Sequence, residues 1–134
     1  MSKVNIVYQN NLRTEAEHIA SGEKIITDAP IDNNGKGEAF SPTDLVATAL
    51  GSCMITIMAI AANKYGIDVS GTNASVKKIM GSDPRRISKI AIDINMNINI
   101  EEKNRKRLER AALLCPVHKS LQPELEKKIR FLYS

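Results

Sequence analysis

Between residues 89 and 100 the chain alternates without interruption. Ile90, Ile92, Ile94, Met96, Ile98 and Ile100 fall on one side, with Lys89, Ala91, Asp93, Asn95, Asn97 and Asn99 on the other. A period of two over this length predicts a strand in an antiparallel sheet with one buried face. Residues 69–80, closed by the turn formers Gly81-Ser82-Asp83-Pro84, read as its partner. Near the N-terminus, Val4, Ile6 and Tyr8 alternate with Asn5, Val7 and Gln9, and a second alternating run occupies 12–19. The Asn10-Asn11 pair between them tolerates positive φ, so the two runs predict a β-hairpin. Residues 23–27 read as a third strand, and the turn-rich 28–40, DAPIDNNGKGEAF, as a mobile loop.

The pattern then changes period. In SPTDLVATALGSCMITIMAIAANKYG, residues 41–66, Ser41 is placed to cap a helix, Pro42 suits its first position, and Asp44 completes a capping-box-like arrangement. The helix should run to about Lys64, with Gly66 as its left-handed stop. Its apolar part, 45–62, reaches only the lower limit for a membrane span and is interrupted by Thr48, Gly51, Ser52 and Thr56. It is therefore read as a buried central helix, with no membrane partner. Apolar around most of its circumference, it is too large for one sheet face to cover, which predicts a homodimer.

Residues 101–114, EEKNRKRLERAALL, place acids first and bases later, as a helix dipole favours, with Glu101 and Glu102 four residues before Arg105 and Lys106. Acids interleave with the bases and no aromatics are available to stack on bases, so this reads as a solvated helix face and no nucleic-acid partner is expected. CPVHKSL, from 115, starts a short second helix, and 129–133 reads as a last strand. Strands, a long helix, two strands, two helices and a strand make an α+β pattern.

Composition narrows the class. At 134 residues, with 43% hydrophobic and 25% charged residues, the chain reads as one globular domain, 1–134. The absence of Trp makes the core aliphatic, and a net charge of +4 identifies no partner. Nothing at the N-terminus resembles an export signal, which points to the cytoplasm. In that compartment a pair of cysteines is more often redox-active or metal-binding than a structural bridge.

The two cysteines differ in setting. Cys53 lies about three turns into the long helix, beyond reach of the N-terminal dipole, and Asp44 points nearly opposite, so its activators must come from another segment or subunit. Cys115 directly precedes Pro116 at a helix start, where unpaired N–H groups favour a thiolate, and His118 can add positive charge or accept a proton. On sequence grounds Cys115 is the more readily ionised thiol. Three readings stay open: a buried cysteine acting as a small hydrophobe, a metal site built on Cys115 and His118 with Cys53 or His18, and two-thiol chemistry. His18 reads most simply as a strand residue.

SPTDLVATALGSC leading into a long apolar helix, followed by CPVHKSL and a closing strand, resembles the OsmC/Ohr family of thiol-dependent hydroperoxide reductases. The resemblance covers nearly the whole chain in element order. It implies an α+β fold of antiparallel sheets around a long central helix, in an intertwined homodimer with its active sites at the subunit interface. It also implies a peroxidatic role for Cys53, a resolving role for Cys115, an intramolecular disulfide, a small apolar hydroperoxide substrate, an external dithiol reductant, and neither cofactor nor metal. The chain departs from the family pattern where a glutamate and an arginine are expected, having Thr43 and Asn33. Asp44 and Thr43 are the candidate auxiliary residues, and Lys24 or Lys36 the candidate cations. A ligand-binding or general thiol redox protein of the same fold is the alternative reading.

Overall fold

The computed structural model describes residues 1–134. The chain resolves into two compact units, Met1–Val46 and Ala47–Ser134.

The N-terminal unit is built on an antiparallel sheet ordered β1 (Val4–Tyr8), β2 (Arg13–His18), β3 (Lys24–Asp28). The hairpin expected at Asn10-Asn11 forms, and its left-handed stretch extends one residue further, with φ of 71°, 55° and 60° at Asn10, Asn11 and Leu12. The β2–β3 register sets Arg13 opposite Asp28. Asp28 is fully buried, and Arg13 meets it with two parallel bonds, Nε to Oδ1 at 2.7 Å and Nη2 to Oδ2 at 2.8 Å. Arg13 Nη2 also donates to Glu38 Oε1 at 3.1 Å, and the Glu38 backbone N–H donates to Asp28 Oδ2 at 3.1 Å.

Those bonds fasten the segment read as a mobile loop. It contains a single 3-10 turn, Ile31–Asn33, and is tied back by Asp28 N–H to Phe40 O at 3.0 Å and Gly37 N–H to Ala29 O at 3.2 Å. The expectation of a loose connection fails because a buried carboxylate must be satisfied, and the loop supplies part of what satisfies it. Gly35 is required there, since a Cβ would collide with the Ala29 carbonyl.

The helix α1 (Pro42–Lys64) starts as its sequence predicts. The Ser41 N–H donates to Asp44 Oδ2 and the Asp44 N–H donates to Ser41 Oγ, both at 3.0 Å, which is a reciprocal capping box.

In the C-terminal unit α1 packs on a second three-stranded sheet, β4 (Asn73–Gly81), β5 (Arg86–Asn95) and β6 (Glu126–Leu132). Ala47, Leu50, Met54, Met58 and Ala62 of α1 share one buried cluster with Ile90, Ile92 and Ile94 of β5. The cross-sheet register places Ile92 between Val76 and Ile129, at the middle of that cluster. Helix and sheet approach closely at Gly51, where a Cβ would lie 3.0 Å from Val76 Cγ2. The helix is long and apolar enough by length and composition to cross a membrane, but it is the core helix of this unit.

Two expectations for this sheet are corrected. β5 pairs antiparallel with β4 but parallel with β6, because α2 (Glu102–Leu113) and α3 (Pro116–Ser120) carry the chain back to the start of the sheet. The alternation that continues to Ile100 is not strand throughout: β5 ends at Asn95, and Asn97 takes φ 58°. Met96 and Ile100 nevertheless remain buried. Burial of an apolar face therefore extends the period-two pattern beyond the ladder.

Three of the charged side chains of α2, Arg105, Arg107 and Glu109, are engaged within its own unit. Arg105 donates to Ile100 O at 2.6 Å and lies 4.3 Å over the Tyr133 ring, Tyr133 donates its hydroxyl to Glu109 at 2.7 Å, and Arg107 lies 4.5 Å over Tyr65. Burial, followed by the bond to Glu109, raises the Tyr133 hydroxyl above its ordinary pKa, so it remains a donor. These contacts fix the helix whose end delivers Cys115.

Ile92→Ala is expected to destabilise the protein by about 3 kcal/mol, as large-to-small changes in packed cores do. Urea unfolding measures this, with the exposed Lys103→Ala as a control expected to stay within about 0.5 kcal/mol. Asp28 provides a pH signature. Its bond to Arg13 holds its carboxyl below the ordinary range, so the pair stabilises the fold above a pH of about 4 and is lost as acid protonates Asp28. The urea midpoint of Asp28→Asn should fall below wild type by a constant amount from pH 7 to 5, and the gap should shrink at lower pH.

Candidate redox site

Cys53 sits on α1, half-buried, one turn beyond Ala49 and Leu50. Cys115 occupies the N-cap of α3 and is fully buried at 0% exposure. They are brought together: the Cys115 thiol has Cys53 as a side-chain hydrogen-bonding neighbour, and both are free thiols. The local reason is that Cys53 borders the face of α1 that packs on β5, while Leu108 and Ala112 seat α2 in the same cluster so that Cys115 emerges beside it.

The cap on α3 has the predicted form. Cys115 is extended (φ −61°, ψ 145°), Pro116 holds the first helical position, and the His118 N–H donates to Cys115 Sγ at 3.3 Å. Its electrostatic consequence is the reverse of the sequence expectation. Burial pushes the Cys115 thiol up; the His118 and Val117 N–H groups pull it down by less, and Cys53 adds to the rise. Removing a thiolate from water costs more than one or two N–H donors return, so Cys115 is held protonated. His118 is also shifted: burial, then Lys127 and Lys119, lowers its imidazole below the ordinary value. It is therefore neutral at pH 7 and adds no positive charge, contrary to one of its two predicted uses.

The other candidates lie in the N-terminal unit and are spoken for locally. Asp44 completes the cap of α1, and Thr43 Oγ1 stands 3.2 Å from Ser41 Oγ. Lys24 pairs loosely with Glu15 at 3.8 Å. His18 Nδ1 bonds Ser21 Oγ at 2.7 Å, which serves the turn after β2. No three His, Cys, Asp or Glu side chains gather in an arrangement able to hold a metal.

Sequence reading missed the Arg13, Asp28 and Glu38 cluster. The signal was present in weak form. Once Ser21-Gly22 fixes the turn between β2 and β3, Arg13 and Asp28 stand at matching strand ends. That Asp28 is buried and held by a partly buried Arg13, rather than splayed into solvent, depends on the returning loop.

Comparison with known proteins places this geometry. No curated protein matches the chain. Among solved structures, a Psychrobacter arcticus protein named for the osmotic stress induced and detoxification response is 50% identical, with a TM-score of 0.94 over 98% of this chain and 96% of that one. A Legionella pneumophila organic hydroperoxide resistance protein matches in fold, at 16% identity and TM-score 0.75 over 98% and 96% of the chains. So does an organic hydroperoxide resistance protein of Elizabethkingia anophelis, at 13% identity and TM-score 0.77 over 100% and 96%. The sequence profile of the family described as OsmC-like protein matches residues 35–130, through both cysteines, the end of the N-terminal unit and nearly all of the C-terminal unit, and the chain belongs to that family.

Proposed function

We propose that this protein is a cysteine-based reductant of organic hydroperoxides, with Cys53 peroxidatic and Cys115 resolving. The observation that carries the reading is the pairing of a half-exposed thiol with a fully buried one as direct neighbours. The family's solved members named for hydroperoxide resistance support the same class of chemistry.

In the first step the Cys53 thiolate attacks the distal oxygen of the hydroperoxide. The O–O bond breaks, the alkoxide leaves and takes a proton to become an alcohol, and Cys53 becomes a sulfenic acid. Cys115 then attacks the Cys53 sulfur and expels water, forming the disulfide. An external dithiol supplies the two electrons that restore both thiols. Apolar residues around Cys53, among them Ile57 and Met54, favour alkyl over hydrogen peroxide.

The 134 residues act as one domain, since the family match crosses the boundary between the two units. The working form is a homodimer in the cytoplasm. Thr48, Ala49, Ser52, Thr56 and Ile60 on α1 are exposed and uncharged, and Val4, Ile6, Val7 and Tyr8 of β1 are exposed as well. A second copy covering the exposed Ala49 and Ile60 of α1 removes apolar side chains from water, which supports the dimer.

One equivalent of cumene hydroperoxide should consume both free thiols and join Cys53 to Cys115, as read by thiol titration and peptide mapping. Cys53→Ser should lose no thiol, and Cys115→Ser should stop at a trappable sulfenic acid. Retention of both thiols by wild type would instead favour a ligand-binding protein of this fold. Because Cys115 is held protonated, disulfide formation in single-turnover experiments should accelerate by about tenfold per pH unit from pH 7 to 8, in step with its thiolate fraction.

A further inference from the structure

The sheet β4–β5–β6 turns Ile90, Ile92 and Ile94 toward α1, and alternation sends Lys89, Ala91 and Asp93 of β5 to its outer face. The register sets three rows across that outer face. They are Ile79, Lys89 and Glu126; then Lys77, Ala91 and Lys128; then Ser75, Asp93 and Arg130. Because α1 stands between this sheet and the second copy proposed above, a dimer formed through α1 leaves the outer face in water.

The rows differ in how their charges are met. Arg130 donates two parallel bonds to Asp93, Nε to Oδ1 and Nη2 to Oδ2, both at 2.7 Å, and Lys89 Nζ lies 3.3 Å from Glu126 Oε2. The middle row carries a lysine on each outer strand and, between them, a side chain that ends at Cβ. Lys77 and Lys128 are exposed, and neither has an ion-pair partner. Asp93, one row away, is taken by Arg130, whose bond holds its carboxyl below the ordinary range; Lys128 acts on it only through its charge.

Spacing makes the uncompensated charge usable. Neighbouring strands lie about 4.8 Å apart, so Lys77 and Lys128 stand about 10 Å apart at Cα, a gap that two flexible four-carbon stems close on a single anion. The surface is indented there, in a depression of about 380 Å³ lined by Ile79, Ala91 and four cations, with Asp93 beside them. The lysines bring point charges suited to phosphate, and Arg130 keeps N–H donors beyond the two it gives Asp93. A carboxylate would neutralise one of the two lysines, whereas a phosphate monoester, close to doubly charged at pH 7, neutralises both. No aromatic residue lines the depression, so it offers nothing on which a nucleic-acid base would stack.

We propose that this depression binds a small organic phosphate, its phosphate group held between Lys77 and Lys128 over Ala91 and its carbon portion against Ile79. The site is separate from the two cysteines and does not depend on the hydroperoxide reading.

The test titrates phenyl phosphate into the isotope-labelled wild-type protein and follows amide resonances, against sodium chloride of equal ionic strength. Exposed ion pairs are individually weak, so a dissociation constant of about 1 mM is expected, with the shifts centred on residues 77, 91 and 128. Ala91→Glu sets a carboxylate between the lysines, as Asp93 and Glu126 stand in the neighbouring rows, and should weaken binding by about tenfold or more, as should the paired change Lys77→Gln and Lys128→Gln. A second measurement needs no variant. With about 10 mM phenyl phosphate, acetylation of Lys77 and Lys128 by acetic anhydride should slow by about threefold or more relative to the chloride control, while the exposed Lys103 on α2 keeps its rate. Shifts no larger than those chloride produces, full binding by Ala91→Glu, or equal acetylation rates with and without the phosphate each overturn the proposal. Adsorption to phosphatidylglycerol vesicles by a chain that ignores phenyl phosphate overturns it as well.

Discussion

The apolar face of one long helix, set against the isoleucine row of β5, is the contact on which the C-terminal unit depends. Leu50, Met54 and Met58 meet Ile90, Ile92 and Ile94. Each fully buried aliphatic side chain removed from water contributes about 1.5 to 3 kcal/mol. The same contact fixes the depth at which Cys53 sits, at the edge of the packed face. The parallel return of β6, which α2 and α3 make possible, brings Cys115 to that edge from far along the chain. Two sulfurs become neighbours here because the core needs its helices where they are.

At Cys115 two physical effects oppose each other and their sizes decide the chemistry. A helix start offers N–H groups to a thiolate, and in an exposed setting that lowers a thiol's pKa. Here the cap is buried with the core, and desolvation outweighs the donors. The result is a buried sulfur held as a thiol, beside a more exposed partner. A small thiolate fraction near neutral pH makes Cys115 a weak nucleophile there.

Much of this was legible in the chain itself. Period-two alternation located the strands, and Ser41, Pro42 and Asp44 gave the start of α1 to the residue, because a capping box is a local interaction written in local sequence. The pairing of the two cysteines became visible only through their resemblance to a family pattern. What could not be read shares one cause: it depends on partners distant in sequence. The parallel sense of β6, the end of β5 at Asn95 despite continued alternation, the Arg13–Asp28–Glu38 cluster and the protonated state of Cys115 are each set by what packs around them. The rule that a helix start favours a thiolate held in geometry and failed in energy, since sequence shows the donors but not the burial.

The central claim is that folding alone holds Cys53 and Cys115 together, ready to bond. The most direct measurement is the equilibrium between the dithiol and the disulfide in glutathione redox buffers, for the native protein and for the chain in urea, which yields the effective concentration of one sulfur at the other. The account predicts a native value at least about a hundredfold above that of the unfolded chain, for which a flexible tether gives roughly millimolar values. Equal values in the two states would show that the fold does not bring these sulfurs together, and would contradict it.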